Sequence, residues 1–212
     1  MTDRVRFCFD FLCPWCYLTS RWVSRLQDLG EVEVSWGLFS LELANAEDGA
    51  DIVATAKGAA ALRTAAILRD MEGNSALGRF YAELGAAVHE RGENVADHQV
   101  IGAALTTIGV PESLVDKAVG DPATWAQVER EHRALVERTR SFGVPTIVLD
   151  DGEGPAIFGP VISEMPTDED AVQLWRSVAW LTRYENFSEL KRSRTTRPDF
   201  ASYRRVEASR RT

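Results

Sequence analysis

Two cysteines separated by two residues are the part of this chain best suited to chemistry. The run Cys13–Cys16 reads Cys-Pro-Trp-Cys; it follows a short apolar stretch, Val5–Asp10, and precedes an amphipathic stretch, Tyr17–Leu29. The first pattern favours a β-strand and the second an α-helix. A cysteine at a helix N-terminus lies beside unpaired backbone N–H groups, which favour its thiolate. The motif therefore predicts thiol–disulfide exchange.

The position of each residue in the motif predicts its role. Cys13 is the expected nucleophile, with a thiol pKa well below the free value of about 8.5, and Cys16 is the expected resolving thiol. Pro14 suits the first helical turn because no N–H partner is needed there. Trp15 either packs on the protein or offers a platform for a flat substrate. The alternative is half of a zinc site, but zinc takes four ligands, and only the distant Cys8 and three scattered histidines remain.

Composition limits the classes of function. The 212 residues are 45% hydrophobic and 26% charged, which is typical of a globular protein, and three cysteines do not make a disulfide framework. No signal-peptide pattern or membrane-length apolar run is evident, so we expect a cytosolic protein with a mostly reduced dithiol. A formal net charge of −8 argues against a nucleic-acid partner. No membrane partner is expected, and a homodimer is left open.

Charge is distributed unevenly along the chain. The segment Lys191–Thr212 carries eight Lys or Arg against two acidic residues, a net charge of +6. The simpler interpretation is a solvated, partly disordered tail. The alternative is an arm that docks on the acidic body or on a second subunit.

The pattern of elements predicts the fold. Alternation in Val5–Asp10 and Glu31–Leu38, with a helix between them ending at Gly30, indicates a parallel β-α-β unit. A block of helices follows, then two short strands, Thr146–Leu149 and Ala156–Phe158, and a last helix. The expected helices are Asp51–Asp70, Asn74–Arg91, Val95–Ile108, Pro111–Val119, Pro122–Ser141 and Asp168–Tyr184, with Pro111 and Pro122 at helix starts and Asp121 as a cap.

This order predicts an α/β fold, namely a thioredoxin fold with a large all-helical insertion. Residues 1–45 and 140–200 would form the thioredoxin-like core, residues 46–139 the helical insertion or lid, and residues 201–212 a basic C-terminal tail. Because the insertion leaves and re-enters the core beside the dithiol, we expect it to cover that end. No glycine-rich dinucleotide motif follows a predicted strand, so we expect no tightly bound cofactor and no metal.

The chain resembles the DsbA-like thioredoxin-fold oxidoreductases. Three stretches, Phe9–Trp22, Phe158–Pro160 and Glu189–Thr195, are similar to the actinobacterial branch of mycothiol-dependent nitroreductases. The resemblance implies that mycothiol, a small sugar-based thiol, reduces the active disulfide as a co-substrate. It also implies that the reduced enzyme can activate nitro-aromatic compounds.

The resemblance also implies four residues of a substrate pocket. Pro145 would follow a cis peptide bond and face the dithiol, and the backbone of Val144 could pair with a substrate segment. His89 and Asn45 match a His and an Asn that the family places beside the pocket. The family also carries a pocket Tyr in the next segment, whereas no Tyr occurs between positions 17 and 81 here.

Other interpretations of these residues stay open at this stage. His89 could be an ordinary surface or core residue, and Asn45 a helix cap or turn residue. Asp10 could end its strand as a turn residue or act as a base towards Cys16. Cys8 is expected to be a small buried apolar residue. For the whole chain, the alternatives are a thiol-dependent isomerase or transferase of the same fold and a non-catalytic, chaperone-like binding module.

Overall fold

A four-stranded mixed sheet organises the core of the protein. The computed structural model describes residues 2–46 and 56–202. The strands are β1 (Asp3–Phe9), β2 (Val32–Leu38), β3 (Thr146–Leu149) and β4 (Ala156–Phe158). Their order across the sheet is β2-β1-β3-β4, so β1 is an interior strand although it comes first in the chain.

Strand directions agree with the predicted β-α-β unit. β1 pairs with β2 in parallel, with Phe7 beside Trp36. β3 then pairs with β1 antiparallel, and β4 with β3 antiparallel, as a hairpin closed by a turn at Asp150–Gly152. Strands from both ends of the sequence therefore share one sheet, as a thioredoxin fold requires.

Eight α-helices occur in the described ranges. They are α1 (Pro14–Asp28), α2 (Leu41–Ala44), α3 (Ala59–Glu72), α4 (Asn74–His89), α5 (His98–Thr107), α6 (Leu114–Gly120), α7 (Pro122–Thr139) and α8 (Asp168–Arg183). Helices α3 to α7 all lie between the second and third strands, which gives the expected all-helical insertion. In those ranges, no helix is both long enough and apolar enough to cross a lipid bilayer.

One helix start was predicted correctly and another was not. Asp121 caps α7 as expected, because its carboxylate accepts a hydrogen bond from the Ala123 N–H at 2.9 Å and Pro122 takes the first helical position. Pro111 does not begin a helix: it lies in a turn, and α6 starts at Leu114. The first insertion helix begins at Ala59, and residues 51–55 of its expected range lie outside the described residues.

Aromatic side chains join the insertion to the sheet. Tyr81 of α4 stacks on Phe9 of β1 with ring centroids 3.8 Å apart. Gly85, one turn further along α4, lets that helix approach Tyr17 of α1 so closely that a Cβ at position 85 would clash with the ring. Elsewhere, Trp22 of α1 and Trp175 of α8 pack together with centroids 6.1 Å apart. The helix that carries His89 is thus held against the β1–α1 unit that carries the dithiol.

A charged cluster on α7 makes a second connection between insertion and sheet. Glu131 receives two hydrogen bonds from the Arg69 guanidinium of α3, at 3.0 and 2.7 Å. It also receives one from Arg6 of β1 at 2.6 Å and one from the backbone N–H of Leu38 at 2.9 Å. One carboxylate therefore ties two insertion helices to two strands.

Candidate active site

The turn between β1 and α1 is built around a buried carboxylate. Asp10 is fully buried, and its two carboxylate oxygens accept hydrogen bonds from the backbone N–H groups of Leu12, at 2.8 Å, and Leu41, at 2.7 Å. Its carbonyl oxygen accepts the Cys13 N–H at 3.2 Å. Burial raises the pKa of Asp10 to about 6, and the two backbone hydrogen bonds oppose that rise. These contacts support the role of turn residue for Asp10.

Cys13 is the N-cap of α1. Its backbone is extended, and its Sγ accepts a hydrogen bond from the Cys16 N–H at 3.3 Å, while Pro14 begins the helix. The same sulfur lies 3.6 Å from the carbonyl oxygen of Val144. Cys13 is 9% exposed whereas Cys16 is fully buried, so the first thiol is the one that a reagent reaches.

The pKa of the Cys13 thiol differs from the sequence-based expectation. Burial raises it above the ordinary value of 9.0, and the backbone N–H groups of Cys16 and Trp15 oppose that rise less strongly. The expectation of a value well below 8.5 was wrong because it counted the helix N-terminus but not the loss of water around the sulfur. The two thiols of the motif still differ, because burial raises the pKa of the fully buried Cys16 well above its ordinary value.

We expect alkylation to modify Cys13 first. Cys16 is fully buried, and burial raises the pKa of Cys8, itself 2% exposed, to about 12, so both should react slowly. Because the pKa of Cys13 is raised, its rate of reaction with iodoacetamide should still increase above pH 9. Peptide mass spectrometry after timed quenching measures this order. Earlier labelling of Cys8 or Cys16, or a rate plateau below pH 8, would contradict the expectation.

Trp15 and the C-terminal segment meet beside the dithiol. The Trp15 side chain is half-buried, and the Arg194 guanidinium carbon lies 5.3 Å from its ring centroid, within cation–π range. The positive charge of Arg194 also lowers the pKa of Cys13, although less than burial raises it. The basic segment thus reaches an aromatic ring of the site; residues 203–212 lie outside the described residues.

His89 lies at the end of α4 and is turned towards the motif loop. Its Nε2 donates a hydrogen bond to the carbonyl oxygen of Phe11 at 2.9 Å, because a carbonyl oxygen can only accept. Its ring packs between Tyr17 and Phe200, with centroids 5.4 and 5.8 Å away. Burial lowers the pKa of His89 to about 4, so the imidazole is neutral at pH 7. A neutral ring held beside the motif loop can form one wall of a pocket.

The segment before β3 faces Cys13, and the Val144–Pro145 peptide bond is cis, as the resemblance implies. Val144 and Pro145 are buried, and the Val144 carbonyl oxygen is the group near the Cys13 sulfur. A second cis bond, Gly159–Pro160, was not predicted. Its Pro160 carbonyl oxygen accepts a hydrogen bond from the Thr19 hydroxyl of α1 at 3.0 Å.

Asn45 lies at the end of α2. Its side chain is exposed, and its Nδ2 donates to the Leu41 carbonyl oxygen at 2.6 Å, at the C-terminal end of α2. These contacts are those of a helix-end residue. A role of Asn45 in substrate binding stays a prediction.

Sequence reasoning missed three residues of the site. Tyr81 is buried, with its hydroxyl beside the Cys16 sulfur. It lies eight residues before His89 on one helix, a spacing that places both on a similar face and could have indicated it. Arg194 and Phe200 are more than 170 residues from the motif, and no local pattern points to them. Among the described residues, no group of three or more His, Cys, Asp and Glu is placed to hold a metal ion.

Sequence comparison identifies the family. The sequence profile described as "Rv2466c-like: Mycothiol-dependent nitroreductase Rv2466c" matches residues 12–192, which includes the motif, the insertion and the start of the C-terminal segment. The chain belongs to this family. Family membership makes it an oxidoreductase. The uncharacterized protein Rv2286c of Mycobacterium tuberculosis (strain ATCC 25618 / H37Rv) is 32% identical over 200 residues, covering 90% of this chain and 82% of that protein.

Solved structures confirm the DsbA-like thioredoxin fold. A 2-hydroxychromene-2-carboxylate isomerase matches with a TM-score of 0.60 and 19% identity, over 85% of this chain and 96% of that one. The cytosolic disulfide reductase DsbM of Pseudomonas aeruginosa, solved with GSH, matches with a TM-score of 0.59 and 15% identity, over 84% and 99%. DsbA of the same organism matches with a TM-score of 0.53 and 16% identity, over 84% and 86%.

Proposed function

We propose that this oxidoreductase is a cytosolic thiol–disulfide exchange enzyme that uses the dithiol of Cys13 and Cys16. The asymmetry of the two sulfurs carries the proposal. Cys13 is partly exposed at the N-terminus of α1, with its sulfur facing the Val144 carbonyl, whereas Cys16 is sealed one helical turn further in. An outer nucleophile and an inner resolving thiol are what a two-step exchange needs.

The first step is attack by the Cys13 thiolate on a substrate disulfide, which forms a mixed disulfide and releases one substrate thiolate. Cys16 then attacks the Cys13 sulfur, forms the Cys13–Cys16 disulfide and releases the second substrate thiol. Two molecules of a small thiol restore the dithiol. One forms a mixed disulfide with Cys13 and the second releases it as the oxidised small thiol.

The family supports mycothiol as that small thiol and a nitro-aromatic compound as one electron acceptor. One dithiol supplies two electrons and two protons, which converts a nitro group into a nitroso group and one water molecule. The half-buried Trp15 ring and the neutral His89 ring supply aromatic surface for such a flat substrate. Pro14, Asn45 and the Val144–Pro145 backbone complete the proposed substrate-binding set.

Mass spectrometry of the oxidised protein tests this function. Incubation with mycothiol, glutathione or cysteine should give a mixed disulfide on Cys13 and, with excess thiol, the free dithiol. Mycothiol is expected to react fastest. Absence of an adduct on Cys13 with every thiol would reject the exchange mechanism, and equal rates for all three would reject the preference for mycothiol.

Replacing His89 by Ala should slow turnover about tenfold while leaving the fold intact, because the variant removes a pocket wall and one hydrogen bond to the Phe11 carbonyl. His98→Ala is the matched control: His98 lies on α5, is exposed, and should leave turnover unchanged. Since burial lowers the pKa of His89 to about 4, the wild-type rate should show no step near pH 6.5. Unchanged turnover in His89→Ala would leave His89 as an ordinary helix residue.

A further inference from the structure

The hydroxyl of Tyr81 is a buried polar group without a conventional partner. The side chain is 1% exposed, and in the described part of the chain the hydroxyl makes no well-aligned hydrogen bond. A buried hydroxyl normally finds a partner, and leaving one unpaired costs free energy. The position of this hydroxyl therefore needs an explanation other than packing.

Aromatic rings fix the direction of that hydroxyl. The Tyr81 ring stacks on Phe9 at 3.8 Å and meets Phe11 at 5.4 Å, Trp36 at 5.9 Å and Tyr17 at 6.5 Å. A ring enclosed on this many sides keeps one orientation. The orientation brings the hydroxyl near enough to the Cys16 sulfur for each group to shift the pKa of the other.

Few groups around Cys16 would stabilise a negative charge on its sulfur. Its Sγ lies 3.8 Å from the Cys8 carbonyl oxygen, which accepts a hydrogen bond from a thiol but repels a thiolate. The titratable groups that act on the sulfur are Cys13 on its own helix, Tyr81 on α4 and Asp10 at the end of β1. Burial raises the pKa of Cys16 most, and Cys13 and Asp10, when ionised, raise it further. The Tyr81 hydroxyl is the strongest influence that lowers it, followed by the backbone N–H of Asp10.

We propose that Tyr81 is a catalytic residue of the resolving step: its hydroxyl donates a hydrogen bond to the Cys16 sulfur as that thiol ionises and directs it towards Cys13. This role rests on the proposed function, in which Cys16 resolves a mixed disulfide. Tyr81 keeps its own proton throughout the step.

The atoms and electrons of the step balance. The Cys16 thiolate attacks the Cys13 sulfur of the mixed disulfide, a Cys13–Cys16 bond forms, and the bond from Cys13 to the substrate sulfur breaks. Cys16 is oxidised, Cys13 passes from one disulfide to another without a change of oxidation level, and the departing substrate sulfur is reduced to a thiolate. The proton lost by Cys16 ends on that thiolate or, where the thiolate is weakly basic as in an aromatic thiol, in the solvent. In the mixed disulfide Cys13 carries no charge and therefore does not oppose ionisation of Cys16. The Tyr81 hydroxyl still favours the Cys16 thiolate in that state.

A chromogenic aromatic disulfide, dithiobis-nitrobenzoate, resolves the two steps in one experiment. Attack by Cys13 releases one coloured thiolate, and resolution by Cys16 releases the second. Stopped-flow absorbance therefore gives a fast and a slow phase. In Tyr81→Phe, which keeps the ring and removes the oxygen, the first phase should be unchanged. The second should slow about tenfold, and its pH midpoint should rise by about one unit, because a hydrogen bond to a charged group is lost.

Tyr17→Phe is the matched control. It removes the hydroxyl of a neighbouring buried ring, but that hydroxyl donates to Glu90 at 2.6 Å rather than to the motif. The second phase should keep its pH midpoint in this variant. If Tyr81→Phe fails to fold, incorporation of 3-fluorotyrosine at position 81 replaces it. The fluorinated phenol is a stronger donor and should accelerate the second phase.

The outcomes separate this proposal from the proposed function. A wild-type protein that shows no second release would refute resolution by Cys16 and with it both proposals. A wild-type second phase that Tyr81→Phe leaves unchanged in rate and pH midpoint would overturn only the role of Tyr81. An equal shift of the midpoint in Tyr17→Phe would also overturn it.

Discussion

Replacing Cys13 by Ser should reduce turnover to background. A serine hydroxyl stays protonated at neutral pH, so the variant retains the shape of the site without its nucleophile. Loss of an attacking group commonly costs about a thousandfold or more. Turnover is measured with a small disulfide or nitro-aromatic substrate and excess thiol, and the melting temperature should stay near that of wild type. Substantial activity in the variant would contradict the assignment of the nucleophile.

Cys16→Ser is the informative partner of that variant. Cys13 can still attack the substrate disulfide in this variant, but no buried thiol is present to resolve the mixed disulfide. The adduct of the substrate on Cys13 should therefore accumulate. Intact-mass measurement after a single turnover shows this adduct directly. Full turnover in Cys16→Ser would instead favour an isomerase or transferase that needs only one thiol. If wild type binds the ligand but does not turn it over, and Cys16→Ser binds it equally well, a binding module would be favoured.

The second large effect concerns stability. Glu131→Ala should destabilise the protein by about 3–5 kcal/mol, because it leaves the Arg69 and Arg6 guanidinium groups without their shared carboxylate. It also removes the acceptor of the Leu38 N–H. Glu129→Gln is a control on the same helix; its pair with Arg133 spans 3.6 Å at the surface and should contribute less than about 1 kcal/mol. Urea unfolding of both variants measures the difference.

The same carboxylate predicts a pH dependence. Burial acts to raise the pKa of Glu131, but the guanidinium groups of Arg69 and Arg6 and the Leu38 N–H together outweigh it and hold that pKa below its ordinary value of 4.5. A carboxyl group with a lowered pKa in the folded state stabilises the fold above its unfolded pKa, and that contribution is lost as the pH falls through the folded pKa. Wild type should therefore lose stability below about pH 4.5, and Glu131→Gln should show a flatter acid limb. Identical acid limbs would contradict this account.

Much of the fold was predictable because it depends on local patterns. Alternation in β1 and β2, helical spacing in α4, and the cap at Asp121 are set by neighbouring residues, and all three were identified. The start of α6 was misplaced because proline fits both a turn and a first helical position. The short helix α2 carries no periodic signal at four residues in length.

The chemistry of the site was predicted less completely. Spacing alone identified Cys13 and Cys16 and their relative exposure. The direction of the Cys13 pKa shift was missed because burial depends on how distant segments, such as the one that carries Val144, pack around the sulfur, which a linear pattern does not contain. The contact of Arg194 with Trp15 was missed for the same reason, since it joins residues from opposite ends of the chain.

The place of β1 inside the sheet has a consequence for the protein during synthesis. β1 and β2 can pair early, but the other edge of β1 waits for β3, where Thr146 pairs with Cys8. At about 5–20 residues per second, a ribosome needs roughly 7–28 s to make the intervening stretch of about 140 residues. During that interval the edge of an apolar strand that carries Cys8 is open to other chains. Partial synthesis or a stalled ribosome should therefore favour aggregates linked through this edge.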